Sequence, residues 1–415
     1  MAGPATGSVP DADTGPGPGP AGSSPGSATG AATHMAGPKP DAAGTAIRVV
    51  FAPDSFKGSL TSVEVARALA EGWTRARPTD DLAFAPLADG GEGTLTSIEF
   101  AGGWERRSCG VTDPIGRPVT ASWLHSADGA RAVVELAEAS GLSRLAPDER
   151  DPMDATTYGT GEVLMAVVAA GVTRITLGIG GSATNDGGAG ILRALGARID
   201  DTGVSLDEMD PRLGSVELRI ACDVSNPLLG PAGAAATYGP QKGADAGQVA
   251  ELDERLSRYA EAMIAATGRD ERLTPGAGAA GGTAFGLLSV ADRFRSVVLV
   301  PGVDLVAEET DLAGKLAGAH LVVTGEGRVD AQTAFGKTAL GVAQRARALG
   351  VACVAVGGGV EPEGIAALAD LGVTVVPVVE RPQTVAEAMA GGTEPVVRCG
   401  ERIARLISVG AALGA

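Results

Sequence analysis

The segment TRITLGIGGSATNDGGAGILRALG, residues 173–196, decides both the fold class and the chemistry to be expected. Its first five residues are rich in β-branched types and predict a buried strand, while residues 189–195 predict a helix. The glycine-rich loop between them would direct backbone N–H groups and the positive end of a helix toward an anion. Four polar side chains lie in this loop: Ser182, Thr184, Asn185 and Asp186. An acid in an anion cradle favours phosphoryl chemistry, although the same glycines would also suit a tight turn that only permits close packing.

The length, composition and net charge of the chain limit the fold class and the partners to be expected. A chain of 415 residues predicts two domains, and 44% hydrophobic with 20% charged residues is typical of a globular protein with ample core. Only 3% of the residues are aromatic, so the core must consist of Ala, Val and Leu, which suits layered α/β packing. The net charge of −17 argues against nucleic acid or an anionic membrane as a partner.

Cysteine usage and hydropathy indicate a cytoplasmic protein. None of the four cysteines forms a C-x-x-C pair or a Cys/His cluster, so we expect reduced thiols and no zinc site. The sequence has no apolar run of the ~20 residues that a membrane span needs. Residues 1–45 consist mainly of Pro, Gly, Ala and Ser and predict a disordered tail.

Strands and helices alternate at both ends of the folded part. Residues 46–52 and 62–75 predict the first strand and helix. From residue 296 onward, helices separate four predicted strands: 297–300, 320–324, 352–356 and 373–378. Apolar strands that alternate with helices predict a parallel, doubly wound sheet.

Turn sequences between residues 109 and 136 interrupt this alternation, predict a hairpin, and mark the entrance to a second domain. We therefore expect an α/β fold with two α/β domains. One would be Rossmann-like with a parallel sheet, from residues 46–108 and 290–415, and the other would be inserted, from residues 109–289.

Glycine-rich loops recur along the chain with charged residues in them. Five acids lie in or near such loops, most of them just after a strand: Asp54, Asp89, Asp186, Asp223 and Asp330. Three lysines lie in loops of the same kind: Lys57, Lys242 and Lys337. Phosphoryl transfer uses this set of groups, because lysines and loop amides hold phosphates while carboxylates hold Mg²⁺ and accept the proton of the attacking hydroxyl. The alternative is that the acids only stabilise turns, where Asp is common.

Two familiar nucleotide motifs do not fit. Residues 336–338 read G-K-T, but the first glycine of a P-loop should stand at position 331, which is Ala331. In the dinucleotide fingerprint, an acid should follow at a strand end ~20 residues after the glycines, whereas Asp200 and Asp201 lie in a predicted turn.

Five longer segments, in this order, resemble the signature blocks of the bacterial glycerate kinases of the first type: APDSFKGSLTS, PLADGGEGT, GIGGSATNDGGAG, CDVSNPLLGPAGAAATYGPQKGA and VVTGEGRVDAQTAFGKT. The resemblance extends from about residue 47 to the final helix. It implies phosphorylation of D-glycerate with ATP and Mg²⁺, usually to 2-phospho-D-glycerate. It also implies two α/β domains, one Rossmann-like and built from both ends of the chain, with the active site in the cleft between them.

Site roles follow as hypotheses. Asp186 is the predicted general base, because it lies in the anion-cradle loop, and Lys57 would neutralise charge on the transferred phosphoryl group. The predicted substrate- or phosphate-binding residues are Asp54, Ser55, Gly180, Gly181, Ser182, Asn185, Lys242, Thr283, Glu326 and Lys337. The candidates for binding Mg²⁺, or alternatively the glycerate hydroxyls, are Asp89, Asp223 and Asp330. All would have to converge on a single cleft.

Other functions remain open at this point. The chain could phosphorylate a related small hydroxy acid, or it could form 3-phosphoglycerate. A glycerate- or nucleotide-sensing binding protein is the non-enzyme alternative, although no segment with a basic, DNA-binding face is visible in this acidic chain. We expect D-glycerate and ATP as partners, no nucleic acid or membrane, and a monomer or homodimer in the cytoplasm.

Overall fold

A computed structural model describes residues 46–335 and 338–414 of the chain. The tail predicted at residues 1–45 and Lys337 lie outside the described residues. The strands, in chain order, are β1 (Arg48–Pro53), β2 (Asp81–Phe84), β3 (Trp104–Thr112), β4 (Pro118–Ser126), β5 (Arg131–Glu135), β6 (Arg174–Gly178), β7 (Arg198–Asp200), β8 (Gly203–Ser205), β9 (Glu217–Ala221), β10 (Ser296–Val300), β11 (Leu321–Val329), β12 (Ala352–Val360) and β13 (Thr374–Pro377).

The α-helices separate most of these strands. In chain order they are α1 (Ser62–Ala76), α2 (Thr94–Ala101), α3 (Ala137–Ser140), α4 (Tyr158–Ala169), α5 (Ala189–Ala194), α6 (Ala234–Tyr238), α7 (Ala246–Thr267), α8 (Ala279–Ser289), α9 (Gly302–Glu309), α10 (Leu312–Leu316), α11 (Thr338–Ala348), α12 (Pro362–Ala369), α13 (Val385–Ala390) and α14 (Glu394–Gly414). Among the described residues, none of the helices combines the length and apolar character needed to cross a bilayer.

One sheet is parallel throughout and has the strand order β13-β12-β11-β1-β2. Strand β1, which lies between β11 and β2, is buried on both faces, because successive side chains of a strand point to opposite sides. Val49 and Phe51 pack with α1 and α14, whereas Val50 and Ala52 pack with α2 and α9–α12 on the other face. This arrangement confirms the α/β fold and the parallel sheet expected from the alternating pattern.

The second sheet is mixed and has the order β10-β9-β6-β5-β4-β3. Strands β10, β9, β6 and β5 run parallel, and β4 and β3 complete the sheet as an antiparallel hairpin. A separate core cluster covers this sheet, with Val163 and Val167 of α4 and Met263 of α7 among its members. The hairpin expected after residue 109 is present, but β3 already begins at Trp104.

Strand β10 is the main departure from the expected strand grouping. The alternating pattern after residue 296 grouped it with the parallel sheet of the Rossmann-like part. In the structure, Val297 and Leu299 pair instead with Leu218 and Ile220 of β9, in the mixed sheet. Periodicity reports that a segment is a buried strand, but it carries no information about which strand lies beside it.

Two segments differ locally from what their sequence predicts. Residues 304–316 have the pattern of a single helix, but they form parts of two helices, because the chain turns at Asp311, whose φ is +52°. Residues 276–286, GAGAAGGTAFG, have the composition of a glycine loop, but they lie largely within α8, which is interrupted by three non-helical residues: Ala280, Gly281 and Gly282.

Candidate active site

A cleft of about 1270 Å³ opens where strands of both sheets end. Residues after β1, after β2 and after β9 line it, as does the second half of β11. Six of the residues selected from the sequence lie in its walls: Asp54, Ser55, Lys57, Asp89, Asp223 and Glu326. Ligands of open α/β sheets bind beyond the carboxyl ends of strands, so the position is the one that this fold class predicts.

Lys57 and Asp89 form an ion pair across the cleft floor, with 3.1 Å between Nζ and Oδ2. The charge of Asp89 is the main reason that the pKa of Lys57 is raised. The Lys57 side chain is 79% exposed and that of Asp89 is 48% exposed. Exposed pairs contribute little to stability, so an incoming phosphate or cation can replace either partner at small cost.

The loop after β1 contains one carboxylate, Asp54, and this side chain is partly buried. Its Oδ1 accepts a hydrogen bond from the Ser55 backbone N–H at 2.6 Å, and its Oδ2 accepts one from Thr338 Oγ1, also at 2.6 Å. Burial is the main cause of the raised pKa of Asp54, and the Asp89 charge adds to it. Each oxygen keeps a further lone pair, so Asp54 is oriented and remains able to accept a proton.

Asp223 follows β9 and meets the first residue of α9. Its Oδ1 accepts a hydrogen bond from the Gly302 N–H at 2.9 Å. Burial raises the pKa of Asp223, and the charges of Asp89 and Asp304 raise it further. A Cβ on Gly302 would lie 2.1 Å from the Asp89 carbonyl oxygen, so only glycine allows α9 to approach the β2 loop this closely. The two acidic loops are thereby held together.

Glu326 lies within a strand, whereas the sequence suggested that β11 ends at Thr324. The strand continues to Val329 because Glu326 and Arg328 pair with glycines of β12. Glu326 is buried, and its Oε1 accepts a hydrogen bond from Thr333 Oγ1 at 2.8 Å. Arg328 lines the cleft nearby and pairs with Glu361.

Thr338 and Gly302 were not selected from the sequence. Thr338 had an available signal, since it completes the G-K-T sequence at residues 336–338. Gly302 had none, because a glycine before a helix is common and its close approach to Asp89 depends on tertiary packing.

The opening motif lies outside the walls of this cleft. Asp186 Oδ2 accepts hydrogen bonds from the Thr157 N–H and Oγ1, both at 2.9 Å, and from the Gly190 N–H at 3.1 Å. Its Oδ1 accepts one from the Gly188 N–H at 3.1 Å. The carboxylate thus fastens the start of α5 to the start of α4. The geometry gives no support to the predicted role of Asp186 as general base, because Asp186 does not line the cleft and its Oδ2 is occupied by three donors.

The glycines of this motif serve close packing. A Cβ on Gly180 would lie 2.5 Å from the Cα of Gly91 in the β2 loop. The Gly181 carbonyl accepts a hydrogen bond from the Leu142 N–H, and Ser182 is buried. Gly180 therefore packs against the β2 loop that carries Asp89, whereas Gly181 and Ser182 pack against residues 137–142, and none of the three lines the cleft.

Three further residues that were selected from the sequence are buried in or beside this motif: Asn185, Lys242 and Thr283. Lys242 Nζ donates to the Thr184 carbonyl at 2.5 Å, and burial lowers the pKa of Lys242 to about 7. The side-chain amide of Asn185 is buried without a hydrogen-bond partner among the described residues. Thr283 donates to the Ala280 carbonyl at 2.8 Å. The structure does not bring Asn185, Lys242 or Thr283 to the cleft.

Asp330 caps a turn after β11. Its Oδ1 accepts a hydrogen bond from the Gln332 N–H at 2.8 Å, and its Oδ2 lies 3.5 Å from Arg328. Asp330 is not among the residues that line the cleft. The prediction for Lys337 lies outside the described residues.

The donor set suits a cation that is shared with a substrate. Within residues 46–335 and 338–414, no group of three or more His, Cys, Asp or Glu side chains could by itself hold a metal ion. Mg²⁺ in nucleotide-dependent enzymes is bound by one or two carboxylates together with substrate phosphates. Asp89 and Asp223 fit that requirement, because both line the cleft and their charges interact.

Comparison with known proteins identifies the family of this chain. The sequence profile of the glycerate kinase family matches residues 49–408. The glycerate kinase of Halalkalibacterium halodurans is 41% identical over 373 residues, which cover 86% of this chain and 97% of the relative. The glycerate 2-kinase of Escherichia coli K12 is 38% identical over 381 residues, covering 88% and 99%.

A solved structure has the same fold. The crystal structure of a Salmonella typhimurium LT2 protein, a candidate glycerate kinase 2, superposes with a TM-score of 0.77 at 37% identity. The match covers 88% of this chain and 99% of that protein. The chain therefore belongs to the glycerate kinase family and is a kinase, a phosphotransferase with an alcohol group as acceptor.

Proposed function

We propose that this protein transfers the γ-phosphoryl group of ATP to a hydroxyl of D-glycerate and forms 2-phospho-D-glycerate. Family membership implies glycerate and ATP as the substrates. The observation that carries the proposal is the meeting of Lys57, Asp54, Asp89 and Asp223 in a single cleft. Phosphoryl transfer is catalysed mainly by positioning and by charge stabilisation, and these are the groups it requires.

Lys57 neutralises the transferred phosphoryl group. Its ammonium group is exposed, and within residues 46–335 and 338–414 its ion-pair partner is Asp89 alone. A phosphate oxygen near this position would share the ammonium with the carboxylate, and charge-assisted hydrogen bonds of this kind are stronger than neutral ones. The side chain is therefore directed at the developing charge.

Asp89 and Asp223 hold Mg²⁺ together with the phosphates of ATP. The ion would supply charge neutralisation and orientation for the transferred group. The Asp223 Oδ1 is fixed by the Gly302 N–H, while the described structure gives Oδ2 no hydrogen bond. Asp223 thus has one oxygen for orientation and one for binding.

Asp54 accepts the proton of the attacking hydroxyl, in place of Asp186. Its raised pKa brings it closer to the working pH than an ordinary aspartate, which favours general base catalysis. Ser55 and Thr338 fix the orientation of the carboxylate through the two hydrogen bonds described above. Ser55 and Glu326 line the same cleft and would contact the other polar groups of glycerate.

The opening motif has a supporting role in this proposal. Asp186 fastens α4 to α5, Gly180 packs against the loop of Asp89, and Gly181 and Ser182 hold the neighbouring segment 137–142. Asn185, Lys242 and Thr283 would then act on the site through this packing and not through contact with substrate.

The two sheets mark two domains in the proposed mechanism. The parallel sheet, with helices α1 and α9–α14, would form one domain from both ends of the chain, and residues 104–300 would form the inserted one. This moves β10 out of the Rossmann-like part, where residues 290–300 were placed from the sequence. Closure of the cleft would exclude water from the transferred group.

The test is ³¹P and ¹³C NMR of the products formed from ATP, Mg²⁺ and D-glycerate. We expect ADP and a phosphoester on the C2 hydroxyl. A C3 phosphoester would instead assign a 3-phosphoglycerate-forming enzyme, and faster turnover of tartronate or lactate would assign another hydroxy acid kinase. Binding of glycerate without any ADP release would favour a sensor and would contradict the proposal.

A further inference from the structure

The cleft has an apolar end that the proposed chemistry does not use. Beyond the carboxylates, its wall is formed by aliphatic side chains of residues 378–396: Val378, Val379, Val385, Ala388, Met389 and Val396. Glycerate is small and polar, and the triphosphate needs cations and N–H groups. Neither substrate fragment accounts for an aliphatic wall.

Helix α13 presents part of this wall in a fixed orientation. Thr384 and Glu387 form a capping box at its start, with hydrogen bonds of 2.8 and 3.2 Å between each side chain and the other residue's backbone N–H. Val385 and Met389 are four residues apart and so share one face of the helix. Val385 is 77% exposed and Met389 is 41% exposed. An apolar ligand surface that covers these aliphatic side chains is bound more tightly, because both apolar surfaces are then removed from water.

The apolar wall adjoins the loop of Lys57. A Cβ on Gly58 would lie 3.2 Å from the Met389 Cε, so this side chain contacts the residue next to Lys57. A ligand with its anionic part at Lys57 would therefore extend its other part along α13. The ligand that the kinase reaction requires has this form, a polyphosphate joined to a flat base with apolar faces.

A polar side chain lies at the edge of the wall. Gln383 lines the cleft, and its side chain makes no hydrogen bond to the part of the chain that the structure describes. A carboxamide offers one donor and one acceptor side by side, which is the pattern that complements the amino group and ring nitrogen of adenine.

We infer that the adenine ring of ATP binds against Val385 and Met389 of α13, and that Gln383 recognises its hydrogen-bonding edge. This inference rests on the proposed function, because it takes ATP as the phosphoryl donor. It assigns residues 378–396 as the base-binding segment and leaves the phosphates to the loops after β1, β2 and β9.

The test compares Val385→Asn and Met389→Gln with the wild type in steady-state kinetics. We expect the KM for ATP to rise roughly threefold to tenfold in each variant, because a polar group replaces apolar surface that the adenine ring would cover. The KM for D-glycerate and the inhibition constant of inorganic tripolyphosphate, which has no base, should not change. The matched control is Val409→Asn on α14, an exposed valine outside the cleft, which should leave all three constants unchanged.

An unchanged KM for ATP, or an equal rise in the inhibition constant of tripolyphosphate, would overturn the base site. Gln383→Leu should reduce the preference for ATP over GTP, and an undiminished preference would refute the role of Gln383. If the wild type released no ADP with D-glycerate, the proposed function would fail by itself. Equilibrium binding of a fluorescent ATP analogue to the same variants would then decide the base site, with weaker binding supporting it and equal binding refuting it.

Discussion

Glu135, at the end of β5, gives a prediction whose sign depends on pH. The side chain is 5% exposed, and its Oε1 accepts a hydrogen bond from the Leu95 N–H at 2.6 Å. Burial is the main cause that raises the pKa of Glu135 from the ordinary 4.5 to about 7, and the negative charges of Glu138 and Glu92 add to it. These glutamates line a small cavity of about 250 Å³ together with Arg144.

The raised pKa means that the folded protein binds this proton more tightly than the unfolded chain does. The stability that the proton contributes is fully present below about pH 4.5 and is lost as the pH rises to about 7. The change between these two values corresponds to about 3 kcal/mol. Glu135→Gln keeps an oxygen that can accept from Leu95 and has no charge to bury. The free energy of unfolding of the variant should therefore increase relative to that of the wild type as the pH rises, by up to about 3 kcal/mol at pH 8.

Urea unfolding of both proteins at about pH 5 and about pH 8 measures this difference. The matched control is Glu105→Gln on β3, where the side chain is 68% exposed, so its effect should be small at both pH values. The reasoning would be refuted if the difference between Glu135→Gln and wild type were the same at both pH values, or if it moved in the opposite direction.

Three predictions concern the cleft. Lys57→Met should lower kcat roughly 10²-fold, because it removes a cation at the transferred group; near-normal turnover would contradict this role. Asp89→Asn should raise the Mg²⁺ concentration for half-maximal activity roughly tenfold, and an unchanged Mg²⁺ dependence would remove Asp89 from the metal site. Gly302→Ala should lower the free energy of unfolding by about 2–3 kcal/mol through its contact with the Asp89 carbonyl. The control is Gly214→Ala, whose Cβ would have no neighbour within 4 Å; this variant should change the free energy of unfolding by less than about 0.5 kcal/mol.

The sequence was sufficient for features that repeat locally. The apolar run within residues 46–52 predicts β1, and burial of this strand on both faces is typical of a parallel sheet that is covered by helices. Loops after strands pointed to Lys57 and Asp89, and both lie in one cleft because the carboxyl ends of neighbouring parallel strands lie at one edge of a sheet. The placement of β10 was wrong, because strand pairing is set by contacts between residues about eighty positions apart.

If Asp54 is the base, as we propose, the opening motif illustrates why position in a glycine loop is a weak guide to the role of an acid. Asp186 has the sequence context of a catalytic residue, but its donors include Thr157, twenty-nine positions away on another helix. Nothing near Asp186 in the chain indicates this partner. The apolar end of the cleft was missed for a similar reason, since the exposure of Val385 depends on how α13 packs.

The most direct test of the account is the turnover of Asp54→Asn beside that of Asp186→Asn, both measured per mole of folded protein. Asp54→Asn should lose 10²–10⁴ in kcat, the usual contribution of a positioned base. Asp186→Asn should unfold at lower urea concentration, because it weakens the hydrogen bonds to Thr157 and Gly190, but its folded fraction should keep turnover near that of the wild type. A folded Asp186→Asn protein without activity, beside an active Asp54→Asn protein, would contradict the assignment of the cleft as the catalytic centre.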